Sequence, residues 1–168
     1  RDAQESRGLG DVYKRQVRST YNVLIGDSTA DRVKREIGTV WTEGQPEKTV
    51  EVKGRNLVTG LPQKITLSSY ELEMPLRVEV ERIISALQSV MEQTPPELVA
   101  DIEKNGLLMT GGGAMLDGLD KLITNRVRIR AHLAENPVEA VAIGTGKSFE
   151  YLGKLYDGFV SYTNYSSR

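Results

Sequence analysis

Residues 107–116 read LLMTGGGAML, and this stretch decides the fold of the 168-residue chain. Residues 107–110 form an apolar run without alternation, which predicts a short strand buried on both faces. Three glycines follow at 111–113, and a helix carrying Met115 and Leu119 is expected after them. A strand that passes through glycines into a helix is typical of an α/β layer.

The glycine turn is a candidate ligand site. Three residues without Cβ let the backbone take positive φ and approach a ligand, and a following helix directs free N–H groups at it. The sequence of this turn, TGGGA at 110–114, lacks the Gly-Lys-Ser/Thr ending of a Walker A loop and does not match the GxGxxG dinucleotide-binding motif. A nucleotide-binding turn and a tight turn in which glycine only avoids a clash both remain open.

The rest of the chain predicts a mixed α/β fold in the order helix, strand pair, long helix, strand, helix, strand, helix. Ser28 or Thr29 caps the first of these helices, and Gly38 ends it. Period-two alternation predicts two antiparallel strands within residues 49–68. The long helix is predicted from apolar positions at a spacing of three and four: Leu76, Val80, Ile83, Ile84, Leu87, Val90 and Met91. A further strand is predicted from the alternation of Val127, Ile129 and Ala131. The last helix is predicted to begin at Pro137, to carry Val141 and Ile143, and to be interrupted at 144–146.

Composition excludes several functional classes. The 22 Lys+Arg balance 23 Asp+Glu, so the chain has no long-range positive field and no nucleic-acid partner is expected. Without cysteine there is no disulfide framework and no thiolate metal site. No apolar run is long enough to cross a bilayer, and the first residues lack the apolar core of a signal peptide. We therefore expect a cytoplasmic location.

The two ends of the chain differ from its middle. Residues 1–16, RDAQESRGLGDVYKRQ, are polar, show no apolar spacing that links them to residue 17 and beyond, and resemble adapter-derived sequence. They are interpreted as a non-native or disordered lead-in and left out of the fold, with a native disordered or helical lead-in as the alternative. Residues 158–168 are predicted to form a loose tail.

Four blocks of sequence carry a resemblance to a known family. They are YNVLIGDSTADRVKREIG, VEVKGRNLVTGLP, TPPELVADIEKNGLLMTGGGAMLDGLD and AENPVEAVAIGTGKSFE. In this order and spacing, over residues 17–155, they resemble the second half of the MreB family of bacterial actin-like cell-shape proteins. The resemblance implies the second lobe of an actin-like ATPase, of mixed α/β class. Its large subdomain would begin at 17–28, a small inserted α+β subdomain would span 29–70, and 71–157 would complete the large one.

The resemblance also implies the adenosine side of an ATP site. TGGGAML resembles the family's adenosine motif, and DRVKRE resembles the segment that closes the other side of the pocket. Lys34 and Arg35 can stack on or bond to base and ribose, and Asp31 or Glu36 can accept from ribose hydroxyls. A solvated charged face remains the alternative for this helix. The expected adenosine-binding residues are Asp31, Arg32, Lys34, Arg35, Gly112, Gly113, Ala114, Met115 and Leu116.

As a function, the resemblance implies ATP-dependent filaments that organise cell-wall synthesis at the cytoplasmic membrane. The expected partners are further copies of the chain, the cell-wall elongation machinery and, through the missing half, the membrane. The family's phosphate loops and Mg²⁺-organising carboxylate have no counterpart here, so no catalytic residue, no metal ligand and no ATP hydrolysis by this chain are expected. The alternatives are the nucleotide-binding lobe of an Hsp70-like chaperone or sugar kinase, and a binding module with a purely structural glycine turn.

Three other features are weaker candidates. His132 is the only histidine and predicts a structural residue rather than a metal ligand. Residues 144–147, GTGK, stand at the end of a predicted helix, where a phosphate loop is not expected. Trp41 is predicted to pack within the small subdomain. The basic stretch at 125–130 departs from the family's usual wording and affects only local contacts.

Overall fold

The computed structural model describes residues 2–150, with side-chain environments from 10 to 149. In chain order the elements are α1 (Asp2–Tyr21), β1 (Val23–Leu24), α2 (Asp27–Ile37), β2 (Thr49–Asn56), β3 (Pro62–Ser68), α3 (Ser69–Gln93), α4 (Pro96–Asn105), β4 (Leu107–Met109), a 3₁₀ turn (Gly112–Met115), α5 (Leu119–Val127), β5 (Ala131–Leu133) and α6 (Ala140–Glu150). The mixed α/β class is confirmed. The predicted loose tail lies outside the described residues.

The strands β1, β2 and β3 form one antiparallel sheet, which confirms the predicted strand pair and adds a third strand. Alternation along β2 and β3 buries Val50, Val52, Ile65 and Leu67 on one face. Helix α2 covers that face with Ala30, Val33 and Ile37. The N-cap of this helix is Gly26, two residues before Ser28 and three before Thr29, the predicted caps, and the Gly26 carbonyl accepts from the Ala30 N–H at 3.0 Å.

Helix α3 begins with a capping box and buries one stripe. The Ser68 hydroxyl accepts from the backbone at the helix start while Glu71 accepts from the Ser68 N–H. Leu72, Leu76, Val80 and Ile84 are buried. The prediction was wrong for Ile83 and Val90. Ile83 is exposed although its neighbour Ile84 is buried, so it lies beside the buried stripe, and Val90 is exposed beyond Ile84, the last buried residue of α3.

Residues 2–16 do not form a disordered lead-in but are helical, as one of the alternatives had it. They belong to α1, and Val12 and Tyr13 are buried in the same core cluster as Val17. Tyr13, Val17 and Tyr21 follow one another at a spacing of four, so the helical face continues from one side of residue 16 to the other. The interpretation of this segment as disordered was wrong because it overlooked the spacing of Tyr13, Val17 and Tyr21. That the segment is non-native remains a prediction.

The strands β4 and β5 form a two-stranded parallel sheet. The prediction that residues 107–110 are buried on both faces was wrong, because Leu108 is 62% exposed, so no element of the described residues covers its face of the sheet. The strand predicted from Val127 begins only at Ala131. Helix α5 continues to Val127 and ends in a left-handed Arg128, and the Thr124 hydroxyl accepts from the Ala131 N–H at 2.9 Å.

Helix α6 differs from its prediction at both ends. It begins at Ala140 rather than Pro137, because the Pro137 carbonyl accepts from the Gly111 N–H at 2.7 Å and holds the preceding residues as a connection. It also continues through the glycines at 144 and 146 instead of ending there. Its side chains from Val141 to Phe149 are exposed.

One core connects the predicted subdomains. Its buried residues come from α1, α2, both sheets, α3 and α5. The strand β1, which precedes residue 29, hydrogen-bonds to β2 in the small sheet. The division at residues 29 and 70 remains a prediction. No helix within residues 2–150 is long and apolar enough to cross a membrane.

A hydrogen bond across the core has a measurable pH dependence. The Tyr21 hydroxyl donates to the Glu71 carboxylate at 2.7 Å, and this bond raises the pKa of Tyr21 to about 12. The bond therefore stabilises the fold fully below pH 10.0, the ordinary pKa, and its contribution disappears as pH rises through the folded value. We expect Tyr21→Phe to lower the free energy of unfolding by about 1 kcal/mol near neutral pH. In urea titrations at rising pH, the wild-type advantage should shrink above pH 10.0. A constant advantage would contradict this role.

Candidate functional site

A cleft of about 460 Å³ lies between helix α2 and the glycine turn. These are the two segments from which the sequence predicts a binding site, although they are about 80 residues apart in the chain. The volume suits a small organic ligand. The cleft is lined by Asp31, Lys34, Arg35, Glu36, Gly38, Lys48, Gly112, Met115, Leu116, Asp117 and Val138.

Helix α2 contributes one polar wall. Its buried stripe faces the sheet, so Asp31, Lys34 and Arg35 stand on the side that faces the cleft. Arg32 is a different case. Its guanidinium donates to the Glu51 carbonyl at 3.0 Å and lies 3.7 Å from the Glu36 carboxylate. Arg32 is therefore engaged at the open edge of β2 and is not among the cleft-lining residues.

The glycine turn contributes the opposite wall. Gly111 has φ +86°, a conformation that disfavours side chains, and it directs the chain from β4 into the 3₁₀ turn. Gly112, Met115 and Leu116 line the cleft, whereas Gly113 and Ala114 do not. The expected helix does not follow directly. The 3₁₀ turn Gly112–Met115 comes before α5, which begins at Leu119. The wall of the cleft is therefore formed by the backbone of this turn and the Met115 thioether, and not by the N-terminus of an α-helix.

Two charged residues of the cleft were missed by the sequence reasoning. The Lys48 ammonium lies 3.7 Å from the Asp117 carboxylate, across the connection between the two walls. The Asp117 carbonyl accepts from the Val40 N–H at 3.0 Å and from the Thr39 hydroxyl at 3.2 Å. Asp117 directly follows the glycine motif, so its place in the sequence could have indicated that it lies at the cleft. No sequence signal indicates this for Lys48, because only the tertiary fold brings the loop before β2 to the cleft.

The arrangement suits a flat, partly apolar ligand with several hydrogen-bonding groups. Met115, Leu116 and Val138 supply aliphatic surface, and both cations and carboxylates belong to the lining. A lining of both charges favours a polyhydroxylated or heteroaromatic group over a simple anion. The cleft holds no nucleophile and base pair, and within residues 2–150 no cluster of three His, Asp or Glu residues can hold a metal ion.

The weaker candidates lie outside the cleft. His132 is partly buried in β5, and its Nδ1 atom has no hydrogen-bond partner among the described residues. Residues 144–147 lie inside α6 rather than at its end. Trp41 is partly buried and packs against the core at Gly118. The structure thus agrees with a packing role for Trp41, but its contact with Gly118 lies outside the small subdomain predicted for residues 29–70.

Comparison with known proteins identifies the family. Residues 10–157 match the family model described as MreB/Mbl protein. The chain belongs to the MreB/Mbl family. It is 42% identical over 139 residues to the cell shape-determining protein Mbl of Bacillus subtilis, covering 83% of this chain and 41% of Mbl. It is 43% identical over 136 residues to the cell shape-determining protein MreB of Escherichia coli K12, covering 81% and 39%.

Solved structures agree with this assignment. The crystal structure of MreB 5 of Spiroplasma citri bound to AMPPNP superposes with a TM-score of 0.85 and 30% identity, over 91% of this chain and 46% of that one. A MamK double helical filament superposes at 0.65 with 14% identity, over 79% and 40%, and shows the fold alone. The actin-like fold is therefore confirmed. This member of the MreB/Mbl family spans about two fifths of the length of the curated relatives it matches.

Proposed function

We propose that this chain is the adenosine-binding lobe of an ATP-dependent, filament-forming protein that determines cell shape. The observation that carries the proposal is the cleft in which α2 and the glycine turn face each other. Met115 and Leu116 would cover one face of the purine, Lys34 and Arg35 would approach it from the other side, and Asp31 would accept from ribose hydroxyls. The proposal is supported by the lining of the cleft, to which six of the nine expected residues belong: Asp31, Lys34, Arg35, Gly112, Met115 and Leu116.

The relatives support a nucleotide ligand. MreB 5 of Spiroplasma citri, similar over 90% of this chain, has been crystallised with AMPPNP and with ADP. The structure suggests which residues of this chain take part: Gly112 rather than Gly113 would approach the base, and Arg32 would act indirectly by fixing Glu36 and β2. Mg²⁺ and the phosphate contacts would come from the part of the protein that precedes these residues.

Hydrolysis and assembly would belong to the longer protein. Phosphoryl transfer needs a metal, a phosphate clamp and an oriented water together, and the cleft supplies only the adenosine side. In the intact protein we propose self-association into filaments at the cytoplasmic membrane, with the cell-wall elongation machinery as partner. The family match over residues 10–157 argues against the chaperone and sugar-kinase alternatives.

Ligand binding by the chain is testable with one substitution. A Cβ at Gly112 would meet no atom within 4 Å, and its φ does not require glycine, so Gly112→Val should fold normally while its side chain enters the cleft. We expect adenosine or ATP, at about ten times its dissociation constant, to stabilise the wild type by about 1.4 kcal/mol. This corresponds to a rise in Tm of about 3–5 °C. Gly112→Val should lose most of that rise.

The matched control is Gly144→Val. Gly144 also has open space around its Cβ position, but it lies in α6, away from the cleft. Ligand stabilisation should therefore survive Gly144→Val. Equal stabilisation of wild type and Gly112→Val would show that the glycine turn does not contact the ligand. Absence of any stabilisation in the wild type would remove the binding proposal for this lobe.

A further inference from the structure

Asp117 lies where the two walls of the cleft are joined. Its carbonyl accepts from the Val40 N–H at 3.0 Å and from the Thr39 hydroxyl at 3.2 Å, so the chain after α2 is tied to the chain after the glycine turn. Lys48 reaches the same place from the loop before β2, and both charged residues belong to the lining of the cleft. A flat ligand between the walls would therefore present one of its edges to Asp117 and Lys48.

The Asp117 carboxylate lacks hydrogen bonds that a carboxylate normally makes. Its Oδ2 atom is buried, and no donor among the described residues bonds to it. The Lys48 ammonium lies 3.7 Å from Oδ2, which is the distance of an ion pair and longer than a hydrogen bond. The Asp117 side chain is nevertheless 43% exposed. Since Oδ2 contributes none of this exposure, the other oxygen, Oδ1, is the one that a ligand in the cleft can reach.

The backbone at Lys48 is fixed by the start of α3. The Lys48 N–H donates to the Ser69 hydroxyl at 3.0 Å, and its carbonyl accepts from the Ser69 N–H at 2.8 Å. Ser69 is itself buried. The Lys48 side chain therefore starts from a well-defined point, with its ammonium on the Oδ2 side of Asp117. This arrangement leaves Oδ1 as the hydrogen-bond acceptor on the ligand side.

We propose that the Asp117 carboxylate selects the purine base by accepting a hydrogen bond from an amino group at position 6 of the ring. The inference rests on the proposed adenosine binding and names the residue that reads the base. An amino group only donates here and a carboxylate only accepts, so the two match. An oxo group at position 6 would instead place a second acceptor against the carboxylate and leave both without a hydrogen bond.

The orientation of the nucleoside follows from the two ends of the cleft. The ribose carries the phosphates, whose contacts are proposed to come from the part of the protein that precedes these residues. The ribose would therefore point away from the joined side of the cleft, and the edge of the base would point toward Asp117. Leu116, which would cover the face of the purine, directly precedes Asp117 in the chain. Neighbouring residues would thus contact the face and the edge of one ring.

The test compares adenosine with inosine, whose base has an oxo group at position 6. Calorimetric titration of the 168-residue chain measures the dissociation constant of each nucleoside. The wild type should bind adenosine at least about tenfold more tightly than inosine, because a polar site rejects a ligand that leaves its groups unpaired. ATP and inosine triphosphate should show the same preference, since they differ at the same position.

Asp117→Asn tests whether this residue is the source of the preference. The amide of asparagine can accept from an amino group or donate to an oxo group, so both bases can bond to it. The preference for adenosine should fall to about threefold or less, chiefly because inosine binds more tightly. Asp101→Asn is the matched control, because it removes the same charge at an exposed position of α4 outside the cleft. It should keep the wild-type preference.

The possible results separate this inference from the proposal on which it rests. A wild type that binds adenosine and inosine equally overturns the inference but leaves adenosine binding intact. An unchanged preference in Asp117→Asn overturns it too, and so does a wild type that prefers inosine, because Lys48 would then donate to the oxo group. If the wild type binds neither nucleoside and neither triphosphate, the inference and the proposed binding function are both wrong.

Discussion

Replacing Gly118 by alanine is expected to lower the free energy of unfolding by about 2–5 kcal/mol. Two independent costs combine. Gly118 has φ +78° and ψ 2°, the left-handed conformation that side chains disfavour. A Cβ built there would also overlap the Cβ of Trp41 and come within 3.0 Å of its backbone nitrogen. Backbone cannot move aside as the end of a flexible side chain can.

Thermal and urea unfolding measure this effect, with an expected fall in Tm of about 5–15 °C. Gly112→Ala is the control, because its Cβ has open space and its φ is unrestricted. A second readout is ligand stabilisation. Gly118 follows Asp117, whose carbonyl holds Thr39 and Val40, so a displaced Trp41 segment should alter the cleft as well. Equal stability of Gly118→Ala and Gly112→Ala would contradict the close packing at Trp41.

Removing the Tyr13 side chain is expected to cost about 3–5 kcal/mol, as for other large buried aromatic residues. Tyr13 is fully buried in the core, and α1 also holds α2 through the Lys14 ammonium, which lies 2.7 Å from the Asp27 carboxylate. Tyr13→Ala should therefore shift the urea midpoint strongly. Deletion of residues 1–16 should do the same, because it removes Val12 and Tyr13 together. An unchanged midpoint after deletion would restore the interpretation of this segment as an unrelated addition.

Tyr13→Phe separates packing from hydrogen bonding at this position. The Tyr13 hydroxyl is buried without a hydrogen-bond partner among the described residues, and this burial raises the pKa of the group. Removing only the hydroxyl relieves an uncompensated polar group, so Tyr13→Phe should be as stable as the wild type or up to about 1 kcal/mol more stable. A large loss in Tyr13→Phe would mean that the hydroxyl has a partner.

The parts of the fold that sequence could predict are those fixed by local patterns. Helix α2 and the β2–β3 pair follow from apolar spacing, and the start of α3 follows from the capping residues Ser68 and Glu71. The start of α2 was predicted too late, because its N-cap is Gly26, which makes no side-chain cap bond. Of the two walls of the cleft, the glycine turn was a candidate from its own sequence, whereas helix α2 was a candidate only through the resemblance to the MreB family. Arg32 shows the limit, because its turn toward Glu51 depends on where the edge of β2 lies after folding.

The errors arise where tertiary contacts override local pattern. The apolar run at 107–110 suggests a strand covered on both faces, but the covering layer must come from distant parts of the chain, and within the described residues none covers Leu108. Val127 alternates with Ile129 as in a strand, yet a left-handed Arg128 after it ends α5 first. Lys48 enters the cleft only because Val40 is tied to Asp117 some 80 residues later. A contact between residues this far apart in the chain cannot be predicted from the sequence pattern around either of them.

Within the described residues, the β4–β5 sheet pairs with no further strand. A sheet edge without a neighbouring strand can be extended by another extended polypeptide, and Leu108 and Leu133 of these strands are exposed. Helix α6, exposed from Val141 to Phe149, follows this sheet in the chain. We therefore expect this region, rather than the nearly neutral overall charge, to determine the solubility of the chain.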